Sequence, residues 1–186
     1  MYLSNNMNSK TFFPISTELN ISIVKLDDTD QLLYLINLNR DDLRQWLPWL
    51  DYVNSPKEME KYIQLSLEKF EKSGAITSCI RQHGRIIGVI GFNQINWINY
   101  STSLGFWLNK EHRRNGIMKR CCNVMLDYAF NELKLNRIEI SCDTRNIASI
   151  KVAESLNFQL EGKLRQASHV YNRFIDLLLY AKLASD

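Results

Sequence analysis

Apolar and polar positions change period several times along the chain, and each change marks an element. The stretch "LNISIVKL", residues 19–26, alternates and predicts an opening strand. Over residues 28–47, Leu32, Leu35, Ile36 and Leu43 recur at helical spacing, and the helix is expected to end near Pro48. Pro56, a favoured first-turn residue, opens a second helix with Met59, Ile63, Leu67 and Phe70 on one stripe. "AITSCIRQ" and "RIIGVIGFNQI" flank "HG", which predicts two strands and a tight turn, and "YSTSLGFWL" adds a third strand to this meander. Met118, Cys121, Cys122, Met125, Ala129 and Leu133 then give a helix over 115–133. "NRIEISC" is a strand, 147–156 a short helix with Asn157 as its left-handed cap, and "FQLEGKLRQ" and "RFIDLLLYAKL" are closing strands. The order is strand, two helices, three strands, helix, strand, helix, two strands. Seven strands and four helices in that order predict an α+β domain with a mixed central sheet, without regular βα alternation. Residues 1–17 are expected to be a short polar tail, and 18–183 the domain.

Composition narrows the class. A chain of 186 residues that is 45% hydrophobic and 23% charged suits one globular domain with a sizeable core. Neither a membrane-length apolar run nor a secretory signal is evident, so a cytoplasmic protein with no membrane partner is expected. A net charge of +3 is too mild to point to nucleic acid, yet it is compatible with an anionic ligand. Cys79, Cys121, Cys122 and Cys142 form no CxxC pair and no His cluster joins them, so no metal site is expected and buried, reduced thiols are.

Candidate chemistry concentrates in "RRNGIM", residues 113–118, between a strand ending near Leu108 and a helix. The first N–H groups of a helix have no internal partner, and the helix dipole favours negative charge there. Gly116 lets backbone amides approach a ligand, and Arg113 and Arg114 add charged donors, so a pyrophosphate would fit. Neither a Walker loop nor a Rossmann fingerprint is present. These residues alone leave a solvated loop and an anion site both open. Asn146 and Ser149, three apart, share a face at the next helix start, where Asn146 is also a good N-cap. Trp46, Trp49, Tyr52 and Trp97 cluster in two stretches that could be core or the wall of a groove.

The loop resembles the acetyl-CoA loop of the GNAT N-acetyltransferases, whose pattern is Arg/Gln-x-x-Gly-x-Gly/Ala, with Met118 standing where the small residue would be. "LRQWLPWLD", "GVIGFNQINWIN", "LNRIEISCDTRNIASIKVAESLNFQLEG" and "LRQA" are, in order, similar to the Rim-type branch, which acetylates protein N-termini. The resemblance spans 18–183 and implies the acyl-CoA N-acyltransferase fold. In it, the fourth and fifth strands, here 101–108 and 136–142, splay apart around acetyl-CoA. It implies that Arg113, Arg114, Asn115, Gly116, Ile117 and Met118 hold the pyrophosphate, and that amides near Trp107 and Leu108 hold the acetyl carbonyl. Asn146 would contact the pantetheine, Ser149 would protonate the departing thiolate, and Trp46, Trp49, Asn96 and Trp97 would line the acceptor groove. A homodimer is compatible with such a fold.

No general base follows. Asn96 stands where some Rim-type enzymes carry a glutamate. Asp51, Glu111, Asp143, Asp176, His112 and His169 lie near the expected site without one standing out. Deprotonating a lysine at pH 7 costs about 4–5 kcal/mol, an α-amine only about 1–1.4. A site without a strong base therefore suits a protein N-terminal α-amine. A small-molecule amine, such as a polyamine or amino-sugar antibiotic, and a non-catalytic CoA-binding module are the alternatives. A nucleic-acid reading of "KEHRRNGIMKR" ranks last, since a basic run is usually a solvated face.

Overall fold

The computed structural model describes residues 10–186. The chain opens with β1 (Phe12–Pro14) and the alternating β2 (Leu19–Ile23), followed by α1 (Thr29–Leu43). The predicted first helix ends early because Leu47, ahead of Pro48, takes φ −127° and ψ 73°, outside the helical region. A 3-10 turn at Pro48–Tyr52 leads to α2 (Pro56–Ser73). Ser55 caps α2 by accepting from the Glu58 N–H, the Glu58 carboxylate accepts from the Asn54 N–H, and Gly74 closes it at φ 75°.

The meander follows as β3 (Ile76–Gln82), β4 (Arg85–Phe92) and β5 (Ser101–Leu108). His83 and Gly84 at the "HG" turn both take positive φ, as a two-residue hairpin of the right twist requires. The predicted helix over 115–133 divides into α3 (Ile117–Asp127) and a π-helical turn at Tyr128–Glu132, where the Leu133 N–H reaches the Tyr128 carbonyl. β6 (Arg137–Asp143), α4 (Ile147–Ser155) and the long hairpin of β7 (Gln159–Val170) and β8 (Arg173–Leu183) complete the chain, with Asn157 at φ 58° as expected.

The sheet has eight strands in the order β1-β2-β3-β4-β5-β6-β8-β7, one more than expected. The addition lies within the stretch read as a tail. Phe13 pairs with Ile21, is fully buried and packs edge-on against Tyr128, so the folded part begins before residue 18. A three-residue strand is too short to show a period, which is why the pattern missed it. The remainder of that tail, residues 1–9, lies outside the described residues.

Helices cover both faces. Ile36, Leu50, Met59, Ile63 and Trp107 belong to a cluster beneath α1 and α2. Ile90, Leu108, Met118, Cys122, Met125, Ile140 and Ala153 belong to one beneath α3 and α4. All neighbouring strands are antiparallel except β5 and β6, which pair in parallel only at Ser101–Arg137, Thr102–Ile138 and Ser103–Glu139. β5 continues to Leu108 and β6 to Asp143 without pairing to each other, so the sheet splits into a wedge.

Candidate active site

Register decides which groups of β5 face the wedge. The Asn109 N–H donates to the Ile87 carbonyl at 2.8 Å and the Asn93 N–H to the Ser103 carbonyl at 3.0 Å. Hydrogen-bonded pairs alternate along an antiparallel ladder, and this one has no register shift. Residues 103, 105, 107 and 109 therefore turn their N–H and C=O toward β4, while Phe106 and Leu108 turn theirs toward the wedge. The backbone amide of Trp107 is spent inside the sheet and its ring is buried under α1 and α2. Of the two amides expected to hold an acyl carbonyl, that of Leu108 turns to the wedge and that of Trp107 does not. The Phe106 amide also turns to the wedge, as strand alternation could have indicated.

At the end of β5, the Asn109 side chain caps a 3-10 turn at Lys110–His112. Arg114 and Gly116 then take φ 65° and 68°, turning the chain sharply into α3. The first N–H in α3 to find an acceptor is that of Arg120, on the Gly116 carbonyl at 3.1 Å. Among the described residues, no acceptor meets the backbone N–H of residues 114–119. Six uncommitted donors thus gather at a helix N-terminus beside the wedge mouth, the arrangement that binds phosphate. A Cβ on Gly116 would meet no atom within 4 Å, so the space over the loop is open.

The side chains of this loop behave less uniformly than expected. Ile117 and Met118 are buried in the α3–α4 core, so Met118 anchors the helix and does not crowd the cradle. The Arg113 guanidinium donates from Nε to the Leu108 carbonyl at 3.0 Å and from Nη2 to Asp42 Oδ2 at 2.5 Å. It is committed within the protein. Arg114 is exposed and meets no carboxylate among the described residues.

Across the wedge, Asn146 caps α4 by accepting the Ser149 N–H on Oδ1 at 3.1 Å. Its amide nitrogen and the Ser149 hydroxyl have no hydrogen-bond partner among the described residues, and both residues are partly exposed. All four cysteines are free and buried. Burial pushes the Cys142 thiol up to about 11, so it stays protonated and a poor nucleophile near neutrality.

A rim forms beyond the C-terminal end of β6. Arg145 is held by both oxygens of Asp143 and lies over the Trp46 ring, 5.9 Å from its centroid. The Tyr171 hydroxyl, at the tip of the β7–β8 hairpin, donates to the Arg44 carbonyl at 3.1 Å, and the Arg44 guanidinium lies over its ring. Arg44 also pairs with Asp51 at 3.2 Å, and Lys163 with Asp176 at 3.3 Å. The Arg145 hydrogen bond is the largest influence holding the Asp143 carboxyl below the usual range; the Gln166 backbone N–H, then Lys163, do so for Asp176. Such carboxylates are poor proton acceptors at neutral pH.

Comparison with known proteins decides the family. The family described as an acetyltransferase (GNAT) domain matches residues 18–159. The chain belongs to the GNAT acetyltransferases. It is 30% identical to a ribosomal-protein-serine acetyltransferase of Escherichia coli (strain K12) over 169 residues, 91% of this chain and 94% of that one. Among solved structures it superposes with TM-score 0.89 on RimL, a ribosomal L7/L12 α-N-protein acetyltransferase, in complex with coenzyme A. That pair is 29% identical over 94% of this chain and 99% of the other. It also superposes with TM-score 0.86 on MccE, a microcin C7 self-immunity acetyltransferase in complex with acetyl-CoA and AMP, 25% identical over 91% and 94%.

This GNAT enzyme is an N-acetyltransferase and uses acetyl-CoA. Its own features fit that donor: an open cradle of six free N–H groups, a wedge between strands and two inward amides beside it. The four residues expected to line an acceptor groove do not lie together. Trp46 reaches the rim, but Trp49 stacks flat on Tyr62 at 4.8 Å and joins the α1–α2 core. The Asn96 side chain accepts the Ile98 and Asn99 N–H groups in a turn, and Trp97 donates to the Ser73 carbonyl at 3.0 Å. Asn96 bridges Ser101, which pairs with Arg137, so both sit at the closed end of the wedge. Six residue steps of β6, about 20 Å, separate that end from Asp143. Asn96 and Trp97 are therefore not brought to Trp46. Arg44, Arg145 and Tyr171 make the rim instead, and no local pattern marks them.

Proposed function

We propose that this enzyme acetylates a protein N-terminal α-amine by direct attack in a ternary complex. The observation that carries this reading is the state of the rim carboxylates: Asp51, Asp143 and Asp176 are each matched by a cation. A polyamine would want free acid there, and a lysine acceptor would want a strong base. An α-amine needs neither, since its deprotonation at pH 7 costs only about 1–1.4 kcal/mol. The similarity to enzymes named for ribosomal-protein N-terminal acetylation supports the same choice and a cytoplasmic setting.

The residues divide the work. Backbone N–H groups of 114–119, with Arg114, hold the pyrophosphate of acetyl-CoA, which supplies its acetyl group as a thioester. The Phe106 and Leu108 N–H groups donate to the acyl oxygen as negative charge develops on it, usually a large catalytic term. Asn146 donates to the pantetheine arm from its free amide nitrogen. Ser149 gives its hydroxyl proton to the sulfur as the C–S bond breaks and is reprotonated by the proton that the attacking amine loses, so the amide and the free thiol form together. Trp46 and Arg145 form the wall against which the acceptor backbone lies.

Peptides with free and blocked N-termini, the latter carrying a lysine, test the acceptor. Transfer to the free α-amine is expected. Turnover confined to the blocked peptide, or to polyamines and amino sugars in the same assay, would sink the reading.

A further inference from the structure

The last turn of α1 touches three separate parts of the site. Arg40 donates to the Leu50 and Val53 carbonyls, both at 2.6 Å, and fixes the turn that carries Trp46 and Trp49. The backbone carbonyl of Arg44 receives the Tyr171 hydroxyl and so holds the hairpin tip. Between them Asp42 accepts from Arg113, and one turn earlier the buried Asn39 accepts the Lys110 N–H at 3.1 Å. The loop that cradles phosphate and the rim that faces the acceptor are thus fastened to the same helix turn.

Arg113 makes the closest link to the chemistry. Its Nε is bound to the carbonyl of Leu108, the residue whose N–H faces the wedge. Asp42 fixes the other end of the planar guanidinium, and the two side chains are only 31% and 36% exposed. With Nε on the Leu108 carbonyl and Nη2 on Asp42, Arg113 keeps only its Nη1 group and one Nη2 hydrogen for other acceptors, and its charge is already matched by a carboxylate. Arg114, one residue on, is an exposed cation meeting no carboxylate among the described residues. We propose that Arg113, held by Asp42, is a positioning residue that sets the Leu108 amide, and that Arg114 is the phosphate-binding arginine of the pair. This rests on the placement of the acyl oxygen and pyrophosphate given above.

A double-mutant cycle separates the roles. Asp42→Asn and Arg113→Gln are each expected to lower kcat by about tenfold, and the double variant no further, because residues in one network couple. CoA affinity by calorimetry should stay within about threefold for all three, while Arg114→Gln weakens it by roughly tenfold with kcat at saturation retained. If Arg113→Gln weakens CoA binding tenfold while Asp42→Asn does not, Arg113 is a phosphate ligand and the proposal fails. Additive effects on kcat, or equal losses of kcat, CoA affinity and Tm, also overturn it, the last as the mark of a purely structural pair. Gly116→Asp, run alongside, keeps the two readings apart: unchanged CoA affinity there refutes the cradle itself, whatever the cycle shows.

Discussion

In the loop at 113–118 backbone N–H donors are left free, and three of its five side chains, Arg113, Ile117 and Met118, are turned inward or tied down. At the rim beyond β6, proposed to meet the acceptor, the outward groups are side chains, held by partners far away in sequence: Arg44 with Tyr171 at a separation of 127 residues, and Arg145 over Trp46. A cradle made of main chain presents the same donors whatever residues occupy it, provided the backbone can turn. A rim made of cross-linked side chains changes with each substitution. The difference suits an enzyme with one fixed donor and an acceptor that varies between relatives. Each expectation below tries to break it.

The largest effect is expected from Gly116→Asp. The new carboxylate would sit against the pyrophosphate, where a like charge costs about 1–4 kcal/mol, and the residue must hold φ 68°. CoA affinity should fall by about 100-fold. The site is open, so the fold should survive with at most about 1–2 kcal/mol of strain. Calorimetry with CoA and a melting curve check both parts; tight CoA binding by a folded variant would show that the main-chain cradle is not the donor site. Next comes Ser149→Ala. The departing thiolate has a pKa near 8.5 and needs only modest help, so kcat should fall by about tenfold with CoA affinity unchanged. An equal loss of CoA affinity would move Ser149 from the chemistry to binding.

The same contrast explains what could be read from the chain. The cradle is local: a strand, a glycine, two arginines and an apolar period that starts beyond them. Asn146 capping α4 and Asn157 at positive φ follow equally from short-range rules. The wedge came only from resemblance, since whether two strands stay paired beyond residue 103 depends on what packs above them. The rim was not legible. Trp46 and Trp49, three residues apart, go to opposite destinations, one to Arg145 and one to Tyr62, and nothing in "WLPW" distinguishes them. Arg113 is a related case. Its charge suggested phosphate, and its pairing with Asp42, 71 positions away, has no local signal.

A smaller effect is expected at the hairpin tip. Tyr171→Phe keeps the ring beneath the Arg44 guanidinium and removes the hydroxyl's bond to the Arg44 carbonyl. A neutral hydrogen bond is worth about 0.5–1.5 kcal/mol, and this one is exposed, so acceptor KM should rise by roughly two- to fivefold. The donor side should not respond. Steady-state kinetics with each substrate varied in turn tests the separation, and an equal rise in the KM for acetyl-CoA would mean that the two sides are not independent.

The smallest effect concerns acid. Asp143 is the most buried carboxylate of the rim, with 5% of its side chain exposed, and the Arg145 hydrogen bonds hold its folded pKa below the ordinary aspartate value. A depressed pKa contributes stability that is fully present above the unfolded value, near 4, and is lost as pH falls through the lower folded value. Between pH 6 and 8 Asp143 should contribute no slope, because it is ionised in both states. Below about pH 4 the wild type should lose stability faster than Asp143→Asn, which has no charge to lose. Arg145 is 47% exposed, so the difference should stay under about 1 kcal/mol. Melting temperatures of the two proteins from pH 7 to pH 3 check this, with Trp46 fluorescence as a local reporter of Arg145 leaving its ring. Parallel curves throughout would show that the Asp143–Arg145 pair orders the rim without adding to its stability.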